Sequence, residues 1–209
     1  MQVVDWYYDF ISPYSYFGLL RLEELNHSVK IRYRPILFAG LLNHWEQKGP
    51  AEIPVKREYA YRWCTWWAAQ NGIPFRFPAC HPFNPLPYLR LAIAARNTPE
   101  AVKLIFQTLW TTGVDPTQEE ILISLARSFE VDLTRLAAPE VKDELRLGTE
   151  HAVAQGVFGV PTLAVNQQLF WGADATDFFK AYLADPAILA TDEMKRVSAL
   201  PVGVSRKLK

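Results

Sequence analysis

The chain has 209 residues, half of them hydrophobic, enough to bury a sizeable core in one domain or in one domain carrying a large insertion. Its 22 basic and 22 acidic side chains balance to a formal net charge of zero, which argues against a phosphate-binding surface and so against nucleic acid as a partner. No run reaches the roughly 18 apolar residues needed to span a membrane, and the chain opens on a strand pattern rather than a leader, so a cytoplasmic protein with no membrane partner is expected.

The apolar run at residues 3–8, Val3-Val4-Asp5-Trp6-Tyr7-Tyr8, predicts a strand. A helix follows over about 13–26, with Tyr16, Leu19, Leu20, Leu22 and Leu25 at helical spacing. Ile31, Tyr33 and Ile36 alternate with Lys30, Arg32 and Arg34 in a second strand, and the three pieces make a βαβ unit with parallel strands. From Leu37 to about Ala154 the pattern is helical and punctuated by proline: a short helix at 40–45, an aromatic-rich one at 55–71, then 87–96, 99–112 and 116–129, the last capped by Asp115. Further helices start at Asp132 and Pro139. Residues 75–87 hold four prolines and cannot be regular helix. A strand returns at 159–165, a tight turn at 166–168 leads to its hairpin partner at 169–171, and a closing helix spans 174–183. The tail beyond Asp185 reads as loosely packed or disordered.

Two stretches carry the chemistry. One is Asp9-Phe10-Ile11-Ser12-Pro13-Tyr14-Ser15-Tyr16-Phe17-Gly18; the other is Gly156-Val157-Phe158-Gly159-Val160-Pro161-Thr162. Ser12 is a favourable N-cap and Pro13 suits the first helical position. The Ser12 hydroxyl then sits at a helix N-terminus, where unpaired amides and the dipole favour a negative charge such as a thiolate; a plain cap is the other reading. Pro161 precedes the apolar run Leu163-Ala164-Val165, and X-Pro is the bond type that can be cis. A cis proline there leaves the preceding backbone groups open to an extended peptide, whereas a simple turn proline needs no ligand. Cys64 and Cys80 lack CxxC spacing and read as core or surface thiols. His27, His44, His81 and His151 have no partner at metal-ligand spacing, so no metal is expected, and His81 is not assigned as a base.

Strand, Ser-Pro-Tyr-Ser turn, helix and distant Gly-Val-Pro-Thr together resemble the thioredoxin superfamily in its DsbA-like form. More narrowly, they resemble 2-hydroxychromene-2-carboxylate isomerases and kappa-class glutathione transferases, over about Val3 to Tyr182. The resemblance implies an α/β, thioredoxin-like fold with a large all-helical insertion. The thioredoxin-like domain would occupy 1–36 and 156–185, the insertion 37–155 and a C-terminal tail 186–209. It implies glutathione as cofactor, Ser12 as the catalytic residue, a cis Pro161, and Val160 as the residue whose backbone clamps the cysteinyl part of glutathione. It also implies a homodimer.

Gly172-Ala173-Asp174 matches the segment that binds the γ-glutamyl end in these families, with Asp174 facing the ammonium; as a bare sequence, Asp174 also reads as a helix cap. Ala173 and Ala175 depart from the family by lacking a polar side chain and an arginine. Lys56 matches a cation that meets a carboxylate of glutathione or substrate, while Lys48 stands near an expected asparagine. Trp63 and Trp66 replace a charged pair, which reads as packing in place of an ion pair. Asn84, also readable as an Asx turn, and Arg90 match a pattern that orients substrate, and Tyr14 belongs with them as a substrate contact.

The function so implied is glutathione-dependent cis-trans isomerisation of an aromatic chromene carboxylate to a trans-benzylidenepyruvate, a step of aromatic catabolism. A kappa-like glutathione transferase and a non-catalytic binding protein on the same fold are the alternatives. With Ser at positions 12 and 15, a dithiol oxidoreductase lacks both thiols it needs.

Overall fold

The computed structural model describes residues 1–25 and 28–204. Asn26, the far end predicted for the first helix, and His27 lie outside the described residues. Strand β1 (Gln2–Tyr8) leads through the Ser12 turn into helix α1 (Pro13–Leu22) and then to β2 (Val29–Pro35), which pairs parallel with β1. Helices α2 (Phe38–His44), α3 (Pro54–Gln70), α4 (Leu86–Ala94), α5 (Pro99–Thr111), α6 (Glu119–Ser128) and α7 (Pro139–Ala154) follow. Among the described residues no strand interrupts them.

The chain then returns to the sheet as the hairpin β3 (Thr162–Val165) and β4 (Gln168–Trp171). The sheet order is β2-β1-β3-β4, and β3 lies antiparallel to β1. Asn166 and Gln167 both take positive φ, the conformation a two-residue hairpin turn requires. Helix α8 (Thr176–Ala184) follows, and α9 (Asp192–Ser198) lies in the tail. The tail is thus ordered into short helical turns, but α9 buries none of its residues.

β1 is central and largely buried: Val4, Trp6, Tyr7 and Tyr8 are shut from water. Trp6 stacks on Tyr8, and Phe106 of α5 meets Trp6, Tyr8 and Phe10, so the insertion's core continues the sheet's. These rings are therefore part of the structural core.

Three expectations are corrected. α6 opens at Glu119, not Pro116, because the Asp115 carboxylate accepts from the Thr117 amide (2.9 Å) and hydroxyl (2.7 Å) and closes a separate turn. The segment after Asp132 is a 3₁₀ turn, Leu133–Ala137, with Asp132 capping it, rather than an α-helix. α8 begins two residues late: Ala175, with no side-chain acceptor, occupies the N-cap, so Asp174 does not cap it.

Candidate active site

The turn from β1 into α1 is pinned at successive residues by different parts of the fold. Asp9 is wholly buried; its carboxylate accepts the Ile11 amide at 3.1 Å and the Phe38 amide of α2 at 2.8 Å. Burial pushes the Asp9 carboxyl up to about 7, against the pull of the amides that hydrogen-bond it. The Phe10 carbonyl accepts Trp110 Nε1–H from α5 at 2.9 Å. The Ile11 carbonyl lies 2.8 Å from His81 Nε2, in the proline-rich segment before α4. Ser12 follows with its own amide on the Asp9 carbonyl at 3.1 Å.

Ser12 is the N-cap of α1: its backbone is extended, and its Oγ accepts the Ser15 amide at 3.1 Å. That bond uses an oxygen lone pair and leaves the hydroxyl hydrogen free to donate. Pro13 has no amide hydrogen and Ser15 is capped, so the Tyr14 amide is the first-turn donor without a helical acceptor. The capping reading and the donor reading of Ser12 therefore coexist.

Val160 lies two residues before β3 begins and hence outside its ladder. The Val160–Pro161 peptide is cis, and so is His81–Pro82. α1 meets Pro161 at Gly18, where a Cβ would come 2.9 Å from the proline ring. Gly159 is likewise without room for a side chain, because Trp171 packs over it.

Ser12 and Val160 share the wall of one cavity of about 300 Å³. Ile11, Tyr14, Phe38, Leu42, Pro82 and Trp171 give it apolar surface, and Lys48, Glu52 and Lys56 stand at a charged side. Of the residues singled out in the sequence, Ser12, Tyr14, Lys48, Lys56 and Val160 come together here, with Pro161 adjoining. Tyr14 lines the cavity and lies near the buried Cys64 thiol, and burial drives the phenol's pKa up. Burial likewise pushes Cys64 up to about 12.

Other singled-out residues lie elsewhere. Ala173 and Asp174 fall outside the cavity lining, on the segment just after Trp171. Asp174 is exposed and near enough to Tyr14 for its charge to contribute to the raised phenol. Asn84 Oδ1 accepts the Leu86 amide at 3.1 Å, the Asx turn that opens α4, and does not line the cavity. Arg90 lines a different groove, shared with Lys142, Arg146 and Glu150 of α7. The reason is helical phase: α4 packs against α7, and the side of α4 carrying Arg90 faces that neighbour. Trp63 packs on Tyr14 and Trp67, as packing in place of an ion pair would have it, but Trp66 is 58% exposed and replaces nothing internal.

Three residues in or behind the Ser12 cavity escaped the sequence reading: Asp9, Tyr61 and His81. Asp9 sat inside the motif unremarked. His81 read as structural, and Tyr61 lay within an aromatic-rich helix that offered no way to single it out.

The family model for the DSBA-like thioredoxin domain matches residues 3–184. The chain belongs to the DsbA-like thioredoxin family. Within it, the chain is 31% identical over 198 residues to a 2-hydroxychromene-2-carboxylate isomerase of Sphingobium xenophagum, covering 88% of this chain and 99% of that protein. It is 28% identical to glutathione S-transferase kappa 2 of Caenorhabditis elegans, covering 88% and 93%. A solved 2-hydroxychromene-2-carboxylate isomerase superposes with a TM-score of 0.76 at 24% identity, covering 91% of this chain and 98% of that one. In this DsbA-like chain serine stands at both ends of the Ser12–Ser15 motif, so the turn holds no thiol of its own.

Proposed function

We propose that this DsbA-like protein is a glutathione-dependent enzyme that interconverts cis and trans forms of an aromatic carboxylate of the 2-hydroxychromene type. The observation that carries the reading is the single cavity lined both by Ser12, the cap of α1, and by Val160. The residues present fit the tripeptide thiol. Ser12 Oγ–H and the Tyr14 amide are donors at a helix N-terminus, where negative charge is favoured. The Val160 backbone lies beyond the sheet ladder, available to an extended peptide. Lys48 and Lys56 offer cations to carboxylates.

When bound, glutathione supplies the sulfur nucleophile whose reversible addition to a conjugated double bond permits rotation about it. Ser12 holds that sulfur as thiolate by donating its hydroxyl hydrogen. The apolar walls of Phe38, Leu42 and Trp171 keep water from an aromatic ring, and Lys48 or Lys56 orients its carboxylate. The names of the curated relatives, isomerases and kappa-class transferases, support both the reaction and the cofactor.

One observation favours a second reading. With Asn84 and Arg90 outside the cavity, fewer groups remain for a substrate carboxylate, which suits a transferase acting on a neutral electrophile. Isomerisation of 2-hydroxychromene-2-carboxylate and conjugation of chlorodinitrobenzene, assayed side by side, separate the two.

Calorimetry of glutathione binding tests the shared premise. Wild type should bind with release of a proton near neutral pH. Ser12→Ala should lose most of that release, because a hydrogen bond to a charged partner is worth about 1.5–3 kcal/mol, on the order of one to two pKa units of the bound thiol. Absence of binding by wild type would refute the proposal.

A further inference from the structure

Tyr61, on α3, and His81 both line the Ser12 cavity and are bonded to each other. The Tyr61 oxygen lies 2.5 Å from His81 Nδ1 and 2.8 Å from the His81 carbonyl oxygen. His81 Nε2 lies 2.8 Å from the Ile11 carbonyl oxygen. A carbonyl only accepts, so Nε2 carries the ring hydrogen. Burial holds the His81 pKa below its ordinary range, outweighing the Ile11 bond that favours the cation, so near neutral pH Nδ1 is a bare acceptor. Both partners of the Tyr61 oxygen are then acceptors, and its one hydrogen is committed to them. What the phenol has left to offer is its lone pairs. The rings are braced in place: Tyr61 against Phe77 at 4.3 Å between centroids, and His81 against Phe77 and Trp110.

We infer that Tyr61 is an acceptor-only contact that selects an aromatic substrate bearing a hydroxyl donor over analogues without one. His81 is the positioning residue: it fixes the direction of the Tyr61 hydrogen and ties that geometry to Ile11, the residue before Ser12. A carboxylate, which only accepts, is turned away from Tyr61 and drawn to Lys56. Lys56 and Tyr61 stand on the same helix, on the order of 7 Å apart along its axis. The ligand is thus read at two points, its carboxylate at the lysine and its hydroxyl at the tyrosine. This rests on the reading of the cavity as an aromatic carboxylate site.

The test is binding without glutathione, so that no reaction occurs. Three ligands are titrated: 2-hydroxybenzylidenepyruvate, its unsubstituted analogue and its 2-methoxy analogue. Wild type should prefer the hydroxyl ligand over both others by about tenfold, the worth of one well-made hydrogen bond. In Tyr61→Phe that preference should fall to about one while the unsubstituted ligand binds as before. Equal affinities in wild type overturn the inference, and that comparison depends on no variant. A preference that survives in Tyr61→Phe overturns it as well. Failure of all three ligands also overturns it, and the glutathione titration then tells whether the thiol site falls too.

Discussion

Gly18 supports a prediction whose sign is set by opposing effects. In the interior of a helix, replacing glycine with alanine ordinarily stabilises by about 0.5–1 kcal/mol, since glycine loses more backbone freedom on folding. At Gly18 the added Cβ would stand 2.9 Å from Pro161 Cγ and 3.2 Å from Pro161 Cβ. A proline ring at the head of a strand cannot swing aside like the end of a flexible chain, so α1 or the 160–161 segment must move. Overpacking of that kind costs about 1–3 kcal/mol. Gly18→Ala should therefore be net destabilising, by about 0.5–2 kcal/mol. Gly148 is the control: it lies within α7, and its added Cβ would meet Pro35 O at 3.5 Å, an ordinary contact. Gly148→Ala should gain the helical term, about 0.5–1 kcal/mol. Urea denaturation of both variants beside wild type should give midpoints displaced in opposite directions. Glutathione affinity should fall only in Gly18→Ala, because Val160 moves with Pro161. If Gly18→Ala is stabilised as Gly148→Ala is, the close approach of α1 to Pro161 does not constrain the site, and the reasoning fails.

Other outcomes follow from the same geometry. Asp9 has its folded pKa raised to about 7 from 3.8, so the native state binds its proton more tightly than the unfolded chain between those values. Wild-type stability should fall as pH rises through that window, by on the order of 4 kcal/mol from this group. Asp9→Asn should lose that part of the slope, and urea midpoints at a series of pH values will show whether the two curves differ. Trp110→Phe removes the donor to the buried Phe10 carbonyl and should cost about 1–3 kcal/mol, with weaker glutathione binding; unchanged binding would mean the Ser12 turn is held without it. Cys64, pushed up to about 12 by burial, should resist a thiol reagent in the native protein, and Cys80, itself raised by burial and the Asp115 charge, should react slowly. Rapid labelling of both before denaturant is added would contradict the packing around α3.

What could be read from the residues follows from where the signals were local. Ser12-Pro13 is a cap signal contained in two residues, so α1 starts where expected; the hairpin is present, but β3 begins at Thr162 rather than 159, and its turn takes two residues rather than three, so β4 begins at Gln168. Asp115 and Asp174 misled for the same reason: each is a residue that caps helices, but a cap is chosen by which amide the carboxylate can reach. Asp115 found Thr117 first. Arg90 and Asn84 follow a family spacing, yet spacing along a helix does not reveal which neighbour its face meets; packing against α7 decided that. Asp9, Tyr61 and His81 were invisible because their roles depend on partners distant in the chain, Phe38, Ile11 and one another.

The order in which a ribosome delivers this chain bears on when the cavity exists. β1, α1 and β2 emerge early and pair locally, so the Ser12 cap is available to a nascent chain. The part of the lining that includes Val160 arrives only after every helix from α2 to α7 has been made. Until then the central strand β1 has one edge uncovered, and the edge is filled by β3 late. Occupancy of the cavity by a ligand is thus a property of completed synthesis, and a chain released before residue 160 carries the cap without that part of the lining.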